Sequence, residues 1–252
     1  MTEPGALAVD FEDLPSDIAS LNRVAQGLLV HSEWLSAYDV DPTEFPPISR
    51  ATLPVSERLG ALLKSDVRAL KEARAPSCRS VGTCRDFALT LCSFLRATGT
   101  PARLRCGFAS YFVDGWEDHW ICEYWDGKKS EWRLSDPQLD EITRAGCTVS
   151  FGPADVPREV FMTAGEAWLR CRAGKESADR FGHGDVKGLW FMRVNVVRDA
   201  YAVNDHETSA WDRRDAPSAL RNVAPEELAQ LDHFSLHPES PLGDIAPSWL
   251  RD

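Results

Sequence analysis

The sequence predicts an α+β fold: a central helix with a cysteine at its N-terminus, packed on an antiparallel β-sheet, with helical N- and C-terminal extensions. Three observations lead there. Phe87, Ala88, Leu91, Phe94 and Leu95 recur with the helical period behind a capping residue, Thr83. The period then drops to two, with Ala102, Leu104, Cys106 and Phe108 alternating with more polar or small residues. Two further strand-like runs follow, each preceded by an Asp-Gly turn at Asp114-Gly115 and Asp126-Gly127.

With 252 residues, 43% of them hydrophobic, the chain is long enough to bury a sizeable core. Its net charge of -11 and lack of a dense Lys/Arg run argue against nucleic acid and anionic membranes as partners. The first residues lack the basic and apolar regions of a signal peptide, and no apolar run approaches a membrane span, so a cytoplasmic location is expected. The seven cysteines, Cys78, Cys84, Cys92, Cys106, Cys122, Cys147 and Cys171, are odd in number and scattered, without a C-x-x-C pair. Free thiols in a reducing compartment are expected, with neither a disulfide framework nor a zinc cage. His233 and His237 have an H-x3-H spacing, but no cysteine pair accompanies them. The expectation is therefore no metal and no cofactor.

Taken in order, residues 1–15 are acidic and interrupted by Pro4 and Pro15, and are expected to lie loose. Residues 17–38 read as a helix burying Ile18, Leu21, Val24, Leu28 and Trp34. Asp41-Pro42 and Pro46-Pro47 mark an irregular connection. A second helix is predicted over 55–74, with Leu59, Leu62, Leu63, Val67 and Leu70 inward. In the central helix, Asp86 stands three residues after Thr83 and completes a capping-box pattern, while Gly99 and Pro101 stop the helix. Strands follow over 102–108, 119–125 and 130–135, the last ended by Asp136-Pro137.

If the second hairpin has its tip at Gly127-Lys128 and no bulge, opposed residue numbers sum to 255. His119 then faces Asp136, on the same side of the sheet. Residues 146–160 are turn-rich, 159–173 read as a helix, and 181–185 as a glycine-flanked loop. Residues 189–203 suit a buried helix, although Val194, Val196 and Val197 also allow a strand. The tail after His206 is polar and proline-rich, with one short helix over 225–232. The expected organisation is a helical N-terminal extension at 1–75, a catalytic core with helical continuation at 76–205 and a polar C-terminal extension at 206–252.

Cys84 is either one more packed apolar cysteine or an ionisable nucleophile, and its surroundings decide. A helix N-terminus stabilises the thiolate, and the thiolate is the attacking species. The Cys84 amide is also placed to donate to an oxyanion on an attacked carbonyl. With His119 to take the thiol proton and Asp136 to orient the imidazole, the set Cys84, His119, Asp136 reads as a nucleophile, base and acid that pass an acyl group through a thioester.

Three blocks carry a family resemblance: Gly82-Thr83-Cys84-Arg85-Asp86-Phe87-Ala88 running on to Gly99-Thr100-Pro101-Ala102-Arg103 and Gly107, then Asp118-His119-Trp120, then Trp132-Arg133-Leu134-Ser135-Asp136-Pro137. In these the sequence resembles the transglutaminase-like superfamily, with its papain-like chain order of cysteine, histidine and acid, and in its flanks it resembles bacterial members of unassigned role. The resemblance spans about residues 79–138. It implies that Cys84, His119 and Asp136 are the catalytic triad. One departure is Trp120-Ile121, where the family has a small residue and an aromatic.

The activity implied is cysteine-dependent acyl transfer, by hydrolysis or aminolysis, on a small-molecule, peptide or carrier-bound acyl substrate, with a biosynthetic role open. The alternative is a catalytically silent binding module of the same fold. A general crosslinker of exposed glutamines is disfavoured, since neither calcium-site nor pro-segment signatures occur. Trp116, Asp118, Trp120, His183 and Asp185 are candidates for substrate binding, with Trp190 and Arg193 as further candidates to shape the pocket.

Overall fold

A computed structural model describes residues 1–41, 43, 54–208 and 225–242. The expected irregular connection at Pro42 and Pro46-Pro47, and the tail prolines Pro217 and Pro247, lie outside the described residues. In chain order the elements are α1 (Ala8–Phe11), α2 (Ile18–Leu28), β1 (Leu29–His31), α3 (Val55–Ser65), β2 (Ser80–Gly82), α4 (Cys84–Ala97), β3 (Ala102–Ala109), β4 (Trp116–Asp126) and β5 (Glu131–Ser135). They continue with α5 (Glu141–Gly146), β6 (Phe161–Thr163), α6 (Ala164–Arg172), β7 (Phe181–His183), β8 (Val186–Lys187), α7 (Leu189–Val203) and α8 (Pro225–Leu236). The architecture is mixed α+β, as the sequence predicts. The chain divides into two compact units, Met1–Leu104 with Ile121–Pro157, and Arg105–Trp120 with Arg158–Asp252.

In the first unit, α2 starts where Asp17 accepts the Ser20 amide at 2.8 Å, an N-cap that satisfies one orphan donor. The helix stops at Leu28, ten residues short of the expected end. Leu29 and Val30 continue the apolar run of Leu28 and are almost fully buried, and β1 pairs in parallel with β2 in a two-stranded sheet. Helix α3 likewise ends early, at Ser65. The cause is Arg74, whose buried guanidinium gathers the carbonyls of Asp66 (3.2 Å), Arg68 (2.7 Å) and Glu72 (3.0 Å) and so organises 66–74 as a loop. The first 15 residues are held rather than loose. Phe11 packs edge-on to Phe94 at 5.1 Å, and the Val55 amide donates to the Met1 carbonyl at 3.0 Å.

Helix α4 runs 14 residues at the centre of this unit, with Ala88, Leu91, Cys92 and Phe94 fully buried. The hairpin of β4 and β5 pairs Cys122 with Ser135, Trp125 with Trp132 and Asp126 with Glu131, so opposed numbers sum to 257. The register expected from a two-residue tip is corrected by two, and the ladder ends at Ser135, so His119 and Asp136 are not a directly opposed pair. Asp126 explains the longer tip: its carboxylate accepts the amides of Lys128 (3.0 Å) and Lys129 (3.3 Å), and Ser130 takes a left-handed φ of 54°. A shift of two moves no side chain to the other face.

The second unit holds residues 105–109 of β3 and 116–120 of β4, and the strand order is β6-β3-β4-β7-β8. Pairing is antiparallel at β3–β6 and β7–β8 and parallel at β4–β7, so the sheet is mixed rather than purely antiparallel. Gly107 on β3 is required by close approach: a Cβ there would lie 2.1 Å from the Met162 carbonyl oxygen on β6. Helices α6, α7 and α8 cover one core, in which Phe108, Met162, Trp168, Phe181, Met192 and Phe234 pack together. Residues 189–203 are helical, which decides the alternative left open by the valines. The 15-residue length exceeds an ordinary strand, and the helix is buried around most of its circumference. The run 159–173 splits into β6 and α6 at Thr163, whose hydroxyl caps Glu166 at 3.2 Å. The expected loop at 181–185 is instead β7 with a turn at Gly184, where φ is 55°.

Candidate active site

Cys84 is the first residue of α4 and is half-buried. The helix start behind it is built by Asp86, whose Oδ2 accepts the Thr83 amide at 2.9 Å and the Thr83 hydroxyl at 3.3 Å. Arg58 on α3 reaches the other carboxylate oxygen at 3.0 Å and donates to the Val81 carbonyl at 2.7 Å. Both Arg58 and Asp86 are buried. Gly82 lets the chain pass under them, because a Cβ at that position would fall 2.9 Å from the Asp86 Cβ. Sequence reading missed Arg58. The signal is that Val55, Arg58, Leu59 and Leu62 form the buried stripe of α3, with an arginine where the period calls for an apolar residue.

Asp136 is fully buried just after β5. Its Oδ1 accepts the Gln138 amide at 3.0 Å, and its own amide donates to the Pro153 carbonyl at 2.8 Å. That carbonyl also takes the Ser135 hydroxyl at 2.9 Å, and Asn22 on α2 donates to the Ser135 oxygen at 3.0 Å. Asn22 and Ser135 are themselves fully buried, so the segment carrying Asp136 is fixed by a buried polar relay. Asn22 was also missed. A single amide among the inward positions of α2 was the available sign.

In the second unit, His119 is buried on β4. The rings of Phe112 and Tyr111 meet it edge-on at 4.9 Å and 5.9 Å. These two residues, adjacent aromatics in the connection between β3 and β4, were not singled out from the sequence. Beside His119, Asp118 accepts from the Asn195 side chain at 2.6 Å. Burial pushes the Asp118 carboxyl above the usual carboxylate range, opposed by Arg198 and by that hydrogen bond.

The other sequence candidates occupy varied places. Trp116 is half-buried and stacks on Phe181 at 5.8 Å, against the core of its unit. Trp120 is fully buried, and its indole nitrogen has no hydrogen-bond partner among the described residues. His183 pairs through Nδ1 with the Glu117 carboxylate, and both lie within electrostatic reach of Asp118. Asp185 is exposed on the turn after β7. Trp190 sits edge-on to Phe191 at 5.7 Å, and buried Arg193 pairs with Glu227. The structure thus gathers Asp118 and His183 near one end of β4 and leaves Asp185 on the surface.

Among the described residues no group of three or more His, Cys, Asp or Glu side chains is placed to hold a metal ion. None of their helices is long and apolar enough to cross a membrane.

The comparisons with known proteins bear on this site. Residues 65–137 match the family model of the transglutaminase-like superfamily. No curated protein and no solved structure matches the chain. The matched segment is the one in which the three sequence blocks resemble that superfamily, and it contains Cys84, His119 and Asp136. The mixed α+β architecture is consistent with a transglutaminase-like fold for that segment.

Proposed function

We propose that the chain is a thiol acyltransferase or hydrolase in which Cys84 is the nucleophile, His119 the general base and Asp136 the acid that orients the imidazole. The observation that carries this reading is the place of Cys84: half-buried at the first position of a 14-residue helix, inside the family match. Partial positive charge at a helix N-terminus favours the thiolate, and amide donors there favour an oxyanion. His119, shielded by two aromatic rings, suits a base kept from bulk water. Asp136, fixed by backbone bonds, suits an orienting group.

The cycle is as follows. His119 takes the proton from the Cys84 thiol, and the sulfur attacks the acyl carbonyl. The oxyanion accepts from the Cys84 amide. Collapse expels the leaving group, which takes the proton from the imidazolium, and leaves a thioester on Cys84. Water or an amine then gives its proton to His119 and attacks the thioester. The released thiolate regains that proton. Substrates of this kind are small-molecule amides, peptides or carrier-bound thioesters.

The test uses p-nitrophenyl acetate as a generic acyl donor, with intact mass and peptide mapping. Wild type is expected to carry an acetyl group on Cys84 that water or added amine removes. Cys84→Ala is expected to carry none and to release no nitrophenolate above background. Acetylation confined to other cysteines, or turnover retained in Cys84→Ala, would refute the proposal.

A further inference from the structure

Asp86 poses an electrostatic problem for a nucleophile at Cys84. Its carboxylate stands two residues along the same first helical turn and is buried, so it acts through a medium that screens charge weakly. Left alone it would oppose thiolate formation. Arg58 answers it from α3, with a guanidinium nitrogen 3.0 Å from the Asp86 Oδ1 and a second nitrogen on the Val81 carbonyl. Arg85 adds a longer contact to the same oxygen at 3.4 Å. Among the other ionisable groups on elements next to α4, His31 on β1 stacks on Phe87 at 6.5 Å, and Glu57 and Lys64 on α3 are exposed. The α2 arginine, Arg23, is exposed and bonded to Ser20.

We infer that Arg58 is a positioning residue that sets the ionisation of Cys84 by neutralising Asp86 behind it. The inference rests on the reading of Cys84 as the nucleophile. Arg58 touches no reacting atom. It holds the cap carboxylate in place for the Thr83 amide and removes the repulsion that this carboxylate would exert on the thiolate.

Two variants should move the thiol in opposite directions. Arg58→Gln leaves the carboxylate without its main counter-charge, so the pH midpoint for iodoacetamide alkylation of Cys84 should rise. The alkylation rate at pH 7 should fall about three- to tenfold. Asp86→Asn keeps an acceptor for the Thr83 amide but drops the charge, so the midpoint should fall below that of wild type. Arg58→Lys keeps the charge and should stay near wild type, and circular dichroism checks that each variant is folded. A purely structural role predicts a different pattern, with Arg58→Gln and Asp86→Asn both drifting to the midpoint of an ordinary free thiol. That pattern, or no movement in either variant, would overturn the inference. Failure of the nucleophile reading shows separately, in wild-type Cys84 that takes no acetyl group.

Discussion

Gly82→Ala probes the junction on which the helix start depends. The added methyl would lie 2.9 Å from the Asp86 Cβ and 3.2 Å from a Leu29 methyl. The Leu29 side chain can turn aside. Asp86 cannot easily do so, because Thr83, Arg58 and Arg85 all donate to its carboxylate. Overpacking of this kind costs about 1–3 kcal/mol. Displacing Asp86 from the Thr83 amide adds the loss of a cap, about 1 kcal/mol. The sum is a destabilisation of about 2–4 kcal/mol, read by urea unfolding followed through tryptophan fluorescence. The same displacement should slow alkylation of Cys84 at neutral pH. A variant within about 0.5 kcal/mol of wild type, with unchanged alkylation, would refute the packing argument.

Two further outcomes are expected. Asn22→Ala removes the bonds from its amide to Ser135 (3.0 Å) and to the Ile18 carbonyl (2.8 Å), and should cost about 2–3 kcal/mol in urea unfolding. It should also slow acetylation of Cys84 if Asp136 orients the base, whereas acetylation at the wild-type rate would detach the relay from the chemistry. Asp118 has its folded-state pKa raised by burial. Its contribution to stability is thus fully present below the unfolded carboxylate value of about 3.9 and is lost as pH rises through the folded value. Asp118→Asn should flatten stability against pH across that window, and an unchanged slope would show that the carboxyl is not perturbed.

The parts of the fold legible in the sequence are those written in local periodicity. Helix α4 announces itself through Thr83, Asp86 and the spacing of Phe87, Leu91 and Phe94, and it begins and ends close to where those signals place it. The first strand after it follows from alternation, and the next two from runs set off by the Asp-Gly turns. What escaped is set by specific hydrogen bonds and pairings that periodicity does not record. Arg74 ends α3 early by collecting carbonyls of the loop that follows. Strand β1 exists because Ser80–Gly82 is present to pair with it. The hairpin register missed by two because Asp126 bonds to two amides of its own turn, a choice between tip lengths that the Asp-Gly dipeptide leaves open. Among the candidate residues, the types able to do chemistry stood out, while Arg58 and Asn22, which brace the segments carrying Cys84 and Asp136, looked like ordinary helix residues.

The most direct test of the account is the pH dependence of iodoacetamide alkylation at each cysteine, read by peptide mapping in wild type and His119→Ala. Burial pushes the Cys171 thiol up to about 11, so Cys171 is an internal reference for an unactivated group. The account predicts that Cys84 reacts first, with a midpoint well below the free-thiol value of about 8.5, and that His119→Ala moves this midpoint up. Cys84 reacting no faster than the other cysteines, or reacting identically without His119, would contradict it.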